Sequence, residues 1–281
     1  MIKDLLVHLD HAPASPRRLE AALALAAACG AQVTALYLLA EPFLRGVAGL
    51  HAPTEVIREH LAHAEAEAEA ALAAARELAA RRDLTFAARR ETGSVDRRPT
   101  LLAREARTAD LVVVGQPDPQ AGGTDEALLA EAAFMDSGRP ALVVPHAGGR
   151  AATMPPGRAI VAWDGSREAA RAVHDALPLL PGAEDVVILV VDGRDLGTRV
   201  GEHPGADVAA HLARHEVRAR VKGVRSGRAA TAELILAQAD EERADLLVMG
   251  GYGHSRLREM LVGGVTRHVL EHAAVPVLLA H

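Results

Sequence analysis

One six-residue run occurs twice in this chain, and it constrains the fold more than any other feature. Asp110-Leu111-Val112-Val113-Val114-Gly115 is matched by Asp245-Leu246-Leu247-Val248-Met249-Gly250. Further on, Pro140-Ala141-Leu142-Val143 is matched by Pro276-Val277-Leu278-Leu279. Upstream, an apolar run ending on Asp10 has a counterpart ending on Asp164. The matched runs keep the same order, so the chain reads as a duplication of one folding unit. Each run is short, apolar at successive positions and bounded by Asp, Gly or Pro, the pattern of a strand buried on both faces. Helix-sized segments separate the runs, and parallel strands need crossovers of that length.

In the first half, strands are predicted at Leu5–Leu9, Gln32–Leu39, Leu84–Arg89, Leu111–Val114 and Ala141–Val144. Helices are predicted at Leu19–Cys29 with Ser15 as a cap, from Thr54 as a cap through Arg82, at Pro99–Ala106 and at Asp125–Met135, with a loop over Glu41–Pro53. After a Gly- and Pro-rich stretch the plan restarts. Strands follow at Ala159–Trp163, Val186–Val191, Arg218–Val224, Leu246–Met249 and Pro276–Leu279, with helices at Glu168–Leu177, Ala206–His215, Thr231–Glu242 and from Val265 onward. The expected architecture is therefore α/β, with a domain over 1–146, a linker over 147–157 and a second domain over 158–281. Each domain is expected to be a five-stranded parallel sheet flanked by helices in a Rossmann-like arrangement. The apolar runs Ala141–Val144 and Val277–Ala280 would each end a sheet. An unpaired apolar edge invites aggregation, so the two edges are expected to pair and make an intramolecular pseudo-dimer. A homodimer of the whole chain stays open.

The chemistry is concentrated near the end of the second half. Gly250, Gly251 and Gly253 follow a predicted strand, and Gly263-Gly264 precede a predicted helix that opens with Val265 and Thr266. Glycines there let backbone N–H groups approach an anion, and the first turn of a helix adds free donors and partial positive charge. Thr266 can add a hydroxyl. The spacing is neither the dinucleotide G-x-G-x-x-G nor the P-loop G-x-x-x-x-G-K-[ST]. It is G-x2-G-x9-G over Gly250, Gly253 and Gly263.

That spacing resembles the ATP-binding members of the universal stress protein family, whose motif is G-x2-G-x9-G-[ST]. Here Gly264 stands where the family has Ser or Thr, which removes a hydroxyl donor and keeps the backbone N–H. The resemblance covers nearly the whole chain and implies a tandem member with two adenine nucleotide α-hydrolase-like domains. It implies ATP, with Mg²⁺, as the ligand of the second domain, and a role in stress adaptation. By the same resemblance, Ala162, Trp163 and Asp164 at one strand end and Val190 on the next strand would border adenine and ribose. Asp164 has a second reading, as a cap of the following helix. His254, Ser255 and Arg256 lie between the glycine groups, and Arg256 has the chemistry to pair with phosphate. The first half reads QPDPQAGGTDE after Gly115. Pro117 and Pro119 donate no N–H, and Asp118, Asp125 and Glu126 repel phosphate, so no nucleotide is expected there.

Composition excludes other classes. The 281 residues are 49% hydrophobic and carry a net charge of −6, which argues against a general nucleic-acid or membrane-surface binder. Cys29 is the one cysteine, compatible with a reducing cytosol, and no apolar run approaches a membrane span, so a cytoplasmic location is expected. His51, His60 and His63, and separately His268 and His272, are spaced for contact, but no third ligand sits at metal-site spacing and no metal site is assigned. No catalytic constellation is found. The rival readings are a slow ATP-hydrolysing enzyme and an interaction module with a vestigial pocket.

Overall fold

The structure, a computed structural model, describes residues 1–41, 54–118, 124–147, 156–192, 205–227, 229–252 and 264–281. The first half runs β1 (Asp4–Leu9), α1 (Ser15–Cys29), β2 (Gln32–Ala40), α2 (Thr54–Ala80), β3 (Phe86–Gly93), α3 (Arg98–Ala106), β4 (Leu111–Gly115), α4 (Thr124–Met135) and β5 (Ala141–Val144). The second runs β6 (Arg158–Ala162), α5 (Arg167–Ala176), β7 (Asp185–Val191), α6 (Ala206–Arg214), β8 (Ala219–Val224), α7 (Thr231–Glu241), β9 (Leu246–Gly250), α8 (Gly264–His272) and β10 (Val277–Ala280). The ten strands among the described residues form one sheet in the order β3-β2-β1-β4-β5-β10-β9-β6-β7-β8. Within each half every pairing is parallel. The halves meet where β10 pairs antiparallel with β5, Leu278 opposite Leu142.

Local chemistry explains the element ends. Pro16 sits in the first turn of α1, where its missing N–H costs nothing, and Gly30 ends the helix at φ 60°, donating its N–H to the Ala26 carbonyl. Ser166 caps α5, its hydroxyl accepting from the Ala169 N–H. Ser15 does not cap α1. Ala14 holds that position, and the Ser15 hydroxyl accepts the Asp10 N–H at 3.1 Å. A serine that close to a strand end meets the strand's unpaired donors before the helix's. Strand β3 runs on to Gly93, beyond the predicted Arg89, because β2 offers partners as far as Ala40. Of the predicted loop over 41–53, Glu41 donates its N–H to the Gly93 carbonyl at 2.9 Å, and residues 42–53, with the Thr54 side chain, lie outside the described residues.

Alternation along the strands splits the core into two apolar layers. Leu5, Val7, Val161, Val248 and Leu278 face α1, α2, α5 and α6. Leu6, Ile160, Leu247, Val277 and Leu279 face α3, α4, α7 and α8. Both layers cross from one half to the other. The outer strand β8 instead carries Arg220, bridged to Asp185 at 2.9 Å and to Glu242, and Lys222, bridged to Glu242 at 2.7 Å. Charge of this kind blunts an exposed edge.

Candidate functional site

In the second half the chain leaves β6 toward β7 on one side, while β9 lies on the other. The connections beyond β6 and β9 lead to helices on opposite faces of the sheet, α5 and α8, and a crevice opens at this switch point. A cavity of about 270 Å³ occupies it, lined from Ala162, Trp163 and Asp164 at the end of β6 to Met249 and Gly250 at the end of β9. Val265 and Thr266 of α8 close another wall.

Asp164 is a wall residue and not the helix cap. Its Oδ1 accepts the Ser166 N–H at 3.0 Å, and capping falls to Ser166. Thr266 is 4% exposed and its Oγ1 accepts the Tyr252 N–H at 3.2 Å, so it ties the turn after β9 to the start of α8. Gly250 owes its lack of a side chain to packing. A Cβ there would lie 2.5 Å from the Ala169 nitrogen and 2.6 Å from the Glu168 carbonyl carbon, so β9 abuts the backbone of α5.

Val190 lies on β7 between two cavity residues, with its side chain turned away. Its side chain belongs to the opposite core layer, and Leu189 and Val191 line the cavity in its place. Successive side chains on a strand point to opposite faces, and the resemblance placed the strand without fixing its pleat. Sequence reasoning also missed Asp192, Thr231 and Ile235, all on the wall. Asp192 has φ 51°, and hydrogen bonds from the Ser226 hydroxyl and N–H hold its carboxyl below the ordinary range. Its one sequence signal is its place just past the end of an apolar strand, the same signal that flagged Asp164. The cavity's charged lining residues, Asp164 and Asp192, are both acidic among the described residues. Gly253, His254, Ser255, Arg256 and Gly263 lie outside the described residues.

The first half fills the same place. The Arg18 guanidinium from α1 pairs with Asp10 and sits 2.5 Å from where a Cβ on Gly115 would be. His8, 1% exposed, lies with Nδ1 3.8 Å from Asp10 Oδ2. Burial first, then the Arg18 charge, pushes the His8 imidazole down to about 3. Burial also works against the Asp10 carboxylate, but Arg18 and His8 outweigh it and hold that carboxyl below its ordinary value. Pro117 is buried after Gly115, and Asp118 lies 3.8 Å from His146. Pro119, Gly122 and Gly123 are outside the described residues. Among the histidines, His63 faces Glu67 at 3.3 Å, and His268 and His272 stack with ring centroids 4.2 Å apart. His51 and the His60 side chain are outside the described residues, and among those described no cluster of three metal-ligating side chains exists.

Residues 1–132 and 157–281 match the sequence model of the universal stress protein family. The chain belongs to that family. A stretch of 46 residues is 41% identical to the universal stress protein Slr1230 of Synechocystis sp. (strain ATCC 27184 / PCC 6803 / Kazusa), covering 16% of each chain. The universal stress protein of Archaeoglobus fulgidus DSM 4304 superposes with a TM-score of 0.73 at 17% identity, over 99% of this chain and 95% of its own. PA1789 of Pseudomonas aeruginosa PAO1, a protein of unknown function, gives 0.54 at 14% identity over 99% and 92%. At such identities the likeness is one of fold: two Rossmann-like universal stress protein domains in one chain. Gly264 opens α8, and among the described residues a Cβ there would meet nothing within 4 Å. No described helix is long and apolar enough to cross a membrane.

Proposed function

We propose that this universal stress protein binds one adenine nucleotide per chain, ATP with Mg²⁺, in the second half, and serves stress adaptation in the cytoplasm. The observation that carries the reading is the cavity at the β6–β9 switch point, walled by Trp163, Asp164, Gly250, Val265 and Thr266. Its chemistry fits the nucleoside end. Apolar walls from Leu189, Val191, Ile235 and Met249 suit a base, and the carboxylates of Asp164 and Asp192 accept from ribose hydroxyls or an exocyclic amine. Two carboxylates do not suit phosphate. The phosphates would instead meet the N-terminus of α8 and the glycine-flanked stretch containing Gly253, His254, Ser255, Arg256, Gly263 and Gly264, with the divalent cation offsetting their charge. The first half is expected to take no nucleotide, because the Arg18 guanidinium crowds Gly115 and pairs with Asp10, the counterpart of Asp164. Domains at 1–146 and 158–281, linked by 147–157, would act as an intramolecular pseudo-dimer through β5 and β10.

Trp163 is the one tryptophan of the chain and lies on the cavity wall, so its emission reports occupancy directly. Titration with ATP and Mg²⁺ is expected to change Trp163 fluorescence and saturate at one nucleotide per chain, with nucleotide recovered from gently purified protein. Saturation at two equivalent sites, or no response at millimolar ATP, would overturn the reading. Product formed on the same timescale as binding would favour a hydrolase.

A further inference from the structure

The turn that leaves the second half's cavity is held by a residue of the first half. Phe134, on the last turn of α4, is 1% exposed. Its ring stacks on Tyr252 with centroids 5.7 Å apart and planes at 26°. The same ring covers the backbone of Gly251 so closely that a Cβ there would fall 2.5 Å from Phe134 Cε2. Tyr252 has φ 54°, a left-handed conformation that a bulky L-residue holds only when its surroundings impose it. Three second-half contacts help to impose it. The Gly251 N–H donates to the Ala280 carbonyl at 2.9 Å, the Gly251 carbonyl lies 3.0 Å from His281 Nδ1, and the Tyr252 N–H donates to Thr266 Oγ1. The fourth restraint, Phe134, comes from the first half. Burial pushes the Tyr252 phenol up to about 12, and the carboxylate of Glu131, also on α4, adds to it. Farther along the seam, Gln116 Nε2 donates to the Ala273 carbonyl at 2.9 Å, just past α8.

We propose that Phe134 is a positioning residue for the second half's nucleotide site, fixing the Gly251–Tyr252 turn that joins cavity residues Gly250 and Thr266 from outside their own domain. The inference rests on the nucleotide reading. It gives the first half, whose own crevice is filled by Arg18, a part in binding: its α4 completes the neighbouring site.

The test compares Phe134→Leu, Phe134→Ala and Phe134→Tyr with the unmodified chain, using ATP titration read by Trp163 fluorescence. Phe134→Leu keeps buried apolar bulk and removes the ring, so it tests the stack if the alanine chain fails to fold. It is expected to weaken ATP binding about fivefold or more. Phe134→Tyr, which keeps the ring, is expected to restore binding to within about twofold. Hydrogen exchange separates positioning from general loosening: the Tyr252 amide should lose protection in Phe134→Leu while those of Val248 and Leu278 keep theirs. If the unmodified chain binds ATP and Phe134→Leu binds it equally well, the inference is overturned and the nucleotide reading stands. If the unmodified chain does not bind, the nucleotide reading itself fails and this inference with it.

Discussion

His8 shows what a single buried side chain imposes on the whole fold. Its ring is enclosed beside Asp10 and Arg18, and its folded-state pKa of about 3 lies far below the 6.5 of an exposed imidazole. The folded state therefore binds fewer protons than the unfolded one between those values. Stability from this group is complete above pH 6.5 and is lost as pH falls toward 3, by up to about 1.4 kcal/mol per pH unit. Asp10, held below its ordinary value, acts in the same direction but at lower pH, and His211 is also held below its ordinary value. The His8 contribution is therefore read as the difference between the chain and its His8 variant between pH 6.5 and 4. Urea midpoints are expected to fall over that window and to fall less steeply in His8→Leu. Identical slopes in the two chains would refute it. The sequence made Asp10 legible, as the acid ending a strand, but not Arg18. An arginine in the first turns of a helix ordinarily faces water, and its burial follows from a partner eight positions earlier that only the fold brings near. The side-chain direction of Val190 was illegible for a related reason: apolarity marks a strand, but a strand buried on both faces does not say which side chain faces the crevice.

At the scale of elements, β9 lies directly against the backbone of α5, and Gly250 permits it. Glycine at that position was read from the sequence as a phosphate-binding feature, whereas the structure gives it a packing role as well. Gly250→Ala is expected to force β9 and α5 apart at a cost of about 1–3 kcal/mol, seen as a lower urea midpoint without added ligand. An unchanged midpoint would mean that the two backbones have slack. Strands and helices were legible because parallel strands buried on both faces are unbroken apolar runs and the helices between them carry their own punctuation, such as Gly30 and Ser166. The end of β3 was not legible, because Arg90 and Glu91 carry no strand signal and continue the strand only by pairing with Tyr37 and Leu38 of β2.

For the molecule as a whole, the decisive contact is Leu278 opposite Leu142. Leu278 is fully enclosed, so a lysine there must bury or drag out a charge at the centre of a ten-stranded sheet. In Leu278→Lys, hydrogen exchange is expected to accelerate at Leu142–Val144 as well as at Val277–Ala280. Protection kept at Leu142–Val144 would show that the halves are stabilised independently. The duplicated runs made both half-sheets and their terminal strands legible. They gave no hint of Phe134, because a phenylalanine on a largely apolar helix reads as core of its own domain, and here that core is shared with the neighbour.

The antiparallel join sets the two halves edge to edge and head to tail, so the carboxyl ends of their strands open at opposite ends of the slab. The crevice closed by Arg18 and Asp10 is thus remote from the open one, while the base of the first half, with Phe134, lies against it. The two ends of one domain then carry different loads. The closed end answers to its own ion pair, and the far end also holds a turn that belongs to its neighbour.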